Sequence, residues 1–160
     1  MKRRNSFTLI ELLVVIAVLA ALVALLVPNY MEIRMKARDN KRKSDLRNIQ
    51  KALELYKEAQ VPVTYPAALP APSCTDNKLV DPVNPSIVYM QKVPMEPLFN
   101  CANNYYYKQS LSDTLKYTLS ACLENANDAE ATTCPGDFST VTLMGCGASN
   151  TGKCYNLTEP

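Results

Sequence analysis

The sequence predicts an α+β fold: a long N-terminal helix, transmembrane in its first half, packed on a small antiparallel sheet and stapled by disulfides. Three observations predict it. Phe7 to Val27 is a 21-residue run, apolar except for Thr8 and Glu11, and a helical periodicity follows it to Gln60. All six cysteines lie beyond residue 70. Between Leu115 and Leu123 apolar and polar residues alternate, the period of a half-buried strand.

A chain of 160 residues has room for one modest domain beside such a helix, and that domain has a thin core. The net charge of +2 is divided unevenly: residues 1–60 carry a net +6 and residues 61–160 a net −4. The helix is therefore basic and the head acidic. Histidine is absent, which removes the commonest general base and metal ligand. No Gly-rich phosphate loop and no nucleophile–base pair stands out. Neither catalysis nor a cofactor is expected, so an enzyme or receptor displayed on a membrane anchor, the rival class, lacks a site. Nucleic-acid binding is not expected either, because no aromatic residues interleave the basic run.

At about 1.5 Å per residue the apolar run spans roughly 30 Å, one bilayer core. A carboxylate at the centre of such a segment costs about 2.5–3.5 kcal/mol. Glu11 should therefore have a purpose and a partner. Before it, Met1 to Ser6 carries Lys2, Arg3 and Arg4 and reads as a targeting segment rather than as structure.

The order Lys2-Arg3-Arg4, Ser6, Phe7-Thr8-Leu9-Ile10-Glu11 and an apolar helix resembles the class III signal of type IV pilins and the related type II secretion pseudopilins. The resemblance implies that a prepilin peptidase cuts between Ser6 and Phe7 and methylates the new amine on Phe7. Glu11 then takes the place where the family keeps a Glu, and Pro28 the place of a family Pro. The family usually has Gly before the cut, where this chain has Ser6. It also implies a pilin fold, with residues 1–6 as leader, 7–28 as transmembrane and assembly helix, 29–60 as amphipathic helix of the head, and 61–160 as globular head. Pro28 lacks an N–H and its ring crowds the preceding turn, so a kink or break is expected there.

Beyond Pro28, Leu46, Ile49, Leu53 and Tyr56 recur at three- and four-residue steps, with Ala52 beside them, and mark the face turned to the head. Arg34, Lys36, Arg38, Lys41, Arg42, Lys43 and Arg47 lie on the polar side. They read as a solvated face or lipid-headgroup contacts, or more sharply as contacts to the acidic heads of neighbouring subunits. Asp39 with Lys43, and Glu54 and Glu58 with Lys57, are expected local pairs. Pro62 ends the helix, and the stretch through Pro66, Pro70 and Pro72 is an irregular connection. Cys74 to Pro85 reads as loop.

Ile87–Met90, Tyr105–Tyr107, Leu115–Leu123 and Phe138–Met144 are the predicted strands, with polar turn between Glu124 and Cys134 and a loop from Gly145 to Pro160. Val93-Pro94-Met95-Glu96-Pro97 is similar to the family's Pro-x-Asp-Pro loop, with Glu96 for Asp. The Tyr105–Tyr107 triplet reads as ordinary sheet tyrosines. Asp128, Glu130 and Asp137 are too scattered for a calcium loop. The close resemblance covers residues 1–60; beyond, only the layout is similar.

Cys74, Cys101, Cys122, Cys134, Cys146 and Cys154 read as a disulfide framework outside the cytoplasm. Six cysteines allow 15 pairings and the sequence does not choose among them. Short loops favour Cys122–Cys134 and Cys146–Cys154, leaving Cys74–Cys101. No C-x-x-C spacing supports zinc, and no metal is expected. Flanking charge alone would put the leader outside; the cysteines and the resemblance put it inside the cytoplasm.

The function expected is a structural subunit of a type IV pilus-like filament, held by a charge pair between the Phe7 amine and Glu11. The alternatives are a type II secretion pseudopilin or a minor pilin acting in adhesion or DNA uptake. Expected partners are identical or related subunits, the prepilin peptidase, an inner-membrane assembly platform and, before assembly, the membrane. The expected course runs from the inner membrane to an extracellular filament.

Overall fold

A computed structural model describes residues 8–98, 105–135 and 152–159, with no side chains described for 25–29. Helix α1 spans Leu9–Ala59 and is followed, among the described residues, by six short strands: β1 (Leu79–Val80), β2 (Val88–Met90), β3 (Tyr106–Gln109), β4 (Tyr117–Cys122), β5 (Thr132–Thr133) and β6 (Lys153–Thr158). The chain divides into two compact units, Met1–Lys36 and Ala37–Pro160.

In the second unit the antiparallel pair β1–β2 forms one small sheet, and β3-β4-β6-β5 forms a four-stranded antiparallel sheet. The register sets Tyr107 against Leu119, and Leu119 against Leu157. The helix face expected from the sequence is the face observed: Leu46, Ile49, Ala52, Leu53 and Tyr56 are all buried. They meet Tyr117, Leu119 and Ala121, which leave β4 on one side at period two, and Leu123 just after it. Each fully buried aliphatic of this layer contributes about 1.5–3 kcal/mol.

Tyrosines fill the remaining volume. Tyr65 packs edge-on to Tyr117 at 4.6 Å between ring centres, and Tyr56 edge-on to Tyr89 at 5.4 Å. Each such pair adds about 0.5–1.5 kcal/mol beyond its area. The Tyr105–Tyr107 triplet is structural, as read: the Tyr105 hydroxyl donates to Asp45 at 2.8 Å and the Tyr107 hydroxyl to the Pro66 carbonyl at 2.6 Å.

The strands differ from expectation in four places. The alternating segment begins as a strand at Tyr117 rather than Leu115, because Asp113 holds a turn. Its side chain accepts from the Leu115 amide and its carbonyl from the Lys116 amide. Leu115 is accordingly exposed. The segments read as loop or turn contain β1 and β5, each two residues long. The loop expected up to Pro160 contains β6, which occupies the middle of the sheet between β4 and β5. The strand expected at Phe138–Met144 lies outside the described residues.

The disulfide pairing is corrected as well. Cys134 is bonded to Cys154, so neither Cys122–Cys134 nor Cys146–Cys154 forms. The reason is β6: it carries Cys154 into the sheet opposite Thr132 of β5, and Cys134 follows two residues on. Short sequence separation had no bearing once a strand returned between the two. Cys74 and Cys122 are also disulfide-bonded. Cys101 and Cys146, and with them the expected Cys74–Cys101 pair, lie outside the described residues.

Candidate functional site

The first turn of α1 closes on itself through Thr8 and Glu11. The Thr8 amide donates to Glu11 Oε2 at 2.9 Å and the Thr8 hydroxyl donates to the same oxygen at 2.7 Å. In return the Glu11 amide donates to Thr8 Oγ1 at 3.3 Å. This reciprocal arrangement is a capping box, which satisfies amides that the first turn leaves without helical partners. Sequence reasoning gave Glu11 a partner at the terminus and missed Thr8, although Thr three residues before Glu is the capping-box spacing. Ser6 and Phe7, the expected processing residues, lie outside the described residues.

Above this turn the helix is apolar and uncovered. Leu9 is 82% exposed, and Leu12, Leu13, Val14, Val15, Ile16, Val18, Leu19, Leu22 and Val23 are each exposed by half or more. Among the described residues no helix is long and apolar enough to cross a membrane. The apolar run of the sequence continues to Val27, into the stretch 25–29 where no side chain is described. Helix α1 continues through position 28, so Pro28 does not interrupt it here. Further on, Arg34 lies over the Tyr30 ring at 4.6 Å, and Lys36 pairs with Glu32 at 2.7 Å, both on exposed side chains.

The basic run of the head segment is arranged otherwise than read. Arg42 is buried, 1% exposed, and is ringed by Asp39, Glu96 and Glu124. Its Nε donates to both Glu96 oxygens at 3.0 Å, and its Nη1 donates to Asp39 at 2.6 Å and to Glu124 at 2.8 Å. Arg38 adds a two-pronged contact to Glu124. Asp39 also accepts the amides of Glu124 and Asn125, at 3.0 and 2.9 Å. Lys43 reaches Asp128 and Glu130, the latter at 2.7 Å, and Arg47 reaches Glu130 and the Tyr155 hydroxyl.

These contacts correct two expectations. Arg38, Arg42, Lys43 and Arg47 meet acids of their own head rather than those of a neighbour. The pair Asp39–Lys43 does not form; Asp39 takes Arg42, and Lys43 turns to the loop after β4. Glu54–Lys57 forms as expected. Electrostatics follow the geometry. Burial works against the charge on Arg42, yet the hydrogen bonds and charge of Glu96, with Glu124 and Asp39, hold its pKa above the ordinary value. The hydrogen bond from Arg38, then Arg42, holds Glu124 below its usual range against burial.

Glu96 thus has a role that the sequence alone did not give it. Its extra methylene, relative to Asp, brings the carboxylate from the loop after β2 to the helix guanidinium. The one dense group of metal-ligand side chains among the described residues is Cys122, Cys134 and Cys154. Two of these three are joined to each other, so the set staples one end of the sheet.

Comparison with known proteins agrees with the layout. The family model described as the prokaryotic N-terminal methylation motif matches residues 1–27. The type II secretion system core protein G of Klebsiella pneumoniae is 35% identical over 102 residues, 61% of this chain and 71% of that protein. The core protein G of Aeromonas hydrophila is 43% identical over 56 residues, 35% of this chain and 39% of the relative. The type IV wide pilus major component PilA4 of Thermus thermophilus is 43% identical over 56 residues, 35% and 43% of the two chains. No solved structure matches significantly. With a methylation motif at its start, one long helix on an antiparallel sheet, and a relative matched over most of its length, the chain belongs to the type IV pilin and type II secretion pseudopilin family.

Proposed function

We propose that this chain is a structural subunit of a type IV pilus-like filament, cut before Phe7, methylated there, and assembled through its apolar helix. The observation that carries the reading is the uncovered apolar surface from Leu9 to Val23, with a single carboxylate, Glu11, in its first turn. Such a surface in water is costly at about 25 cal/mol per Å². It finds cover in lipid first and among copies of the same helix afterwards. The prepilin peptidase and an inner-membrane platform are the partners of those two stages, and Pro28 is where the helix loosens in the filament.

In a bundle of such helices dispersion holds the chains together but lets one slide along another. A Phe7 amine and a Glu11 carboxylate from adjacent copies have one favourable register. Either charge left alone there costs several kcal/mol. Glu11→Ala is therefore expected to reduce filament yield more than tenfold, measured as sheared subunit per cell, while the head keeps its disulfides. Ordinary filament yield from that variant refutes the role of Glu11.

A second reading is supported by a specific observation. The match to secretion protein G extends over 102 residues, against 56 for the pilus component, which favours the pseudopilus of a type II secretion system. Deleting the chain separates the two: loss of protein export with surface fibres retained supports the pseudopilus, and loss of fibres supports the pilus.

A further inference from the structure

We propose that Cys154 is the hinge of a thiol–disulfide exchange site: it can bridge to Cys134, as it does here, or to Cys122, and an external dithiol moves it from one to the other. The geometry rests on the strand register. Cys122 of β4 lies opposite Cys154 of β6, and the neighbouring pair is bridged by the Leu123 amide donating to the Lys153 carbonyl at 3.0 Å. In an antiparallel ladder, hydrogen-bonded and non-hydrogen-bonded pairs alternate, so Cys122 and Cys154 form a non-hydrogen-bonded pair. Such pairs have Cα atoms about 4.5 Å apart, within the range of about 4.4–6.8 Å that a disulfide spans. The existing Cys134–Cys154 bond spans 4.9 Å between Cα atoms. All three sulfurs lie within 4.8 Å of one another. The register and the spacing of the sulfurs thus put Cys154 within reach of either bond.

Access sets the direction of attack. Cys154 is fully buried and Cys122 nearly so, whereas Cys134 is half-buried. An external thiolate reaches Cys134 Sγ, forms a mixed disulfide there, and releases the Cys154 thiolate into the cluster. Cys154 Sγ then attacks Cys122 Sγ, whose own disulfide breaks and releases its former partner as a thiolate. The second thiol of the reagent resolves the mixed disulfide, leaving Cys134 as a thiol and the reagent oxidised. One protein disulfide has been reduced in total and one new bond, Cys122–Cys154, has formed. The chemical class that acts here is a dithiol, whether a small molecule or an oxidoreductase of the exported compartment. Run backwards, with the disulfide form of such a reagent as the oxidant and its dithiol as the product, the same steps let a Cys122–Cys154 bond formed early be corrected to the final pairing.

The test uses the full oxidised chain in detergent, treated briefly with dithiothreitol at pH 8, quenched with N-ethylmaleimide and mapped by mass spectrometry without reduction. The expected result is a peptide pair joined through Cys122 and Cys154, with Cys134 alkylated. Alkylation of Cys134 and Cys154 together, with the Cys122 bond intact, overturns the proposal. Cys134→Ser provides a second arm. In the folded variant Cys154 is expected to be bonded to Cys122, and the one remaining thiol to be the former partner of Cys122. A free Cys154 in that variant also overturns it. If Cys134→Ser fails to fold, the first arm still decides. Free dithiothreitol replaced by a thioredoxin-like protein distinguishes a site open to oxidoreductases from one open only to small thiols.

Discussion

Replacing Arg42 by Met removes the centre of the charge cluster that ties the head segment of α1 to the loops after β2 and β4. The side chain is of similar length and apolar, so packing changes little and the loss is electrostatic. Asp39 keeps the amides of Glu124 and Asn125, and Glu124 keeps Arg38. Glu96 loses the guanidinium that makes three contacts to it, at a side chain only 5% exposed. Breaking one buried pair in this way costs about 3–5 kcal/mol. At about 4 °C per kcal/mol, the value where small and mid-sized domains meet, that is a fall in Tm of about 12–20 °C. Urea unfolding of the full chain in detergent, followed by tyrosine fluorescence, measures the free-energy cost, and a thermal scan the fall in Tm. Adding Glu96→Leu should recover part of the loss, since two apolar residues leave no orphan charge. A variant within 1 kcal/mol of wild type at pH 7 refutes the account of the cluster.

Two further outcomes follow from the same head. Leu53→Ala opens a cavity where α1 meets the sheet at a side chain with no exposure, and should cost about 2–5 kcal/mol in the same unfolding assay; a cost below 1 kcal/mol would mean that the layer is not packed as described. Asp81 has its pKa lowered to about 2 by the amide of Asn84, then by Gln60 and Tyr89. Its stabilisation is complete above the ordinary value of 3.8 and is lost as pH falls toward 2. Asp81→Asn should therefore flatten the acid slope of stability between about pH 4 and 2, and an unchanged slope in a pH series of unfolding curves would remove Asp81 from that titration.

What could be read from the sequence was what depends on periodicity. The buried face at Leu46, Ile49, Leu53 and Tyr56 repeats at helical spacing, and Tyr117, Leu119, Ala121 and Leu123 repeat at strand spacing, so both layers were visible before either was placed. Strand β6 was not, although Tyr155 and Leu157 have the same period of two and pack at the core. Cysteine, asparagine and threonine between them made the segment look like a polar tail. That omission led directly to the wrong disulfides, because Cys154 is paired by the strand that carries it and not by its distance along the chain. The cations of residues 38–47 show the complementary failure. Their side of the helix was legible, but a charge on a polar side can turn outward or fold back onto a loop. Only the positions of Glu96, Glu124, Asp128 and Glu130 decide which, and those depend on long-range topology.

The fate of those cations bears on assembly. Arg38, Arg42 and Lys43 are held by carboxylates of their own head, with Arg42 almost without exposure. A buried ion pair contributes little net stability beside an apolar substitute, but it fixes one arrangement against others because every misplaced partner is an uncompensated charge. In this head it fixes the loops after β2 and β4 to the helix. On the filament reading, those charges are then unavailable to choose the register of one subunit against the next. The exposed charges just before them are also matched locally, Lys36 by Glu32 and Arg34 by the Tyr30 ring. On the same reading axial register falls to the first turn, where among the described residues Glu11 is held by Thr8, a neutral partner that gives hydrogen bonds but no countercharge. On the proposed reading, a methylated Phe7 amine from the next copy supplies that countercharge while Thr8 keeps its bonds. Loss of the head cluster should therefore cost stability and leave register intact, whereas loss of Glu11 should do the reverse. Measuring filament yield and head unfolding on both variants separates the two roles.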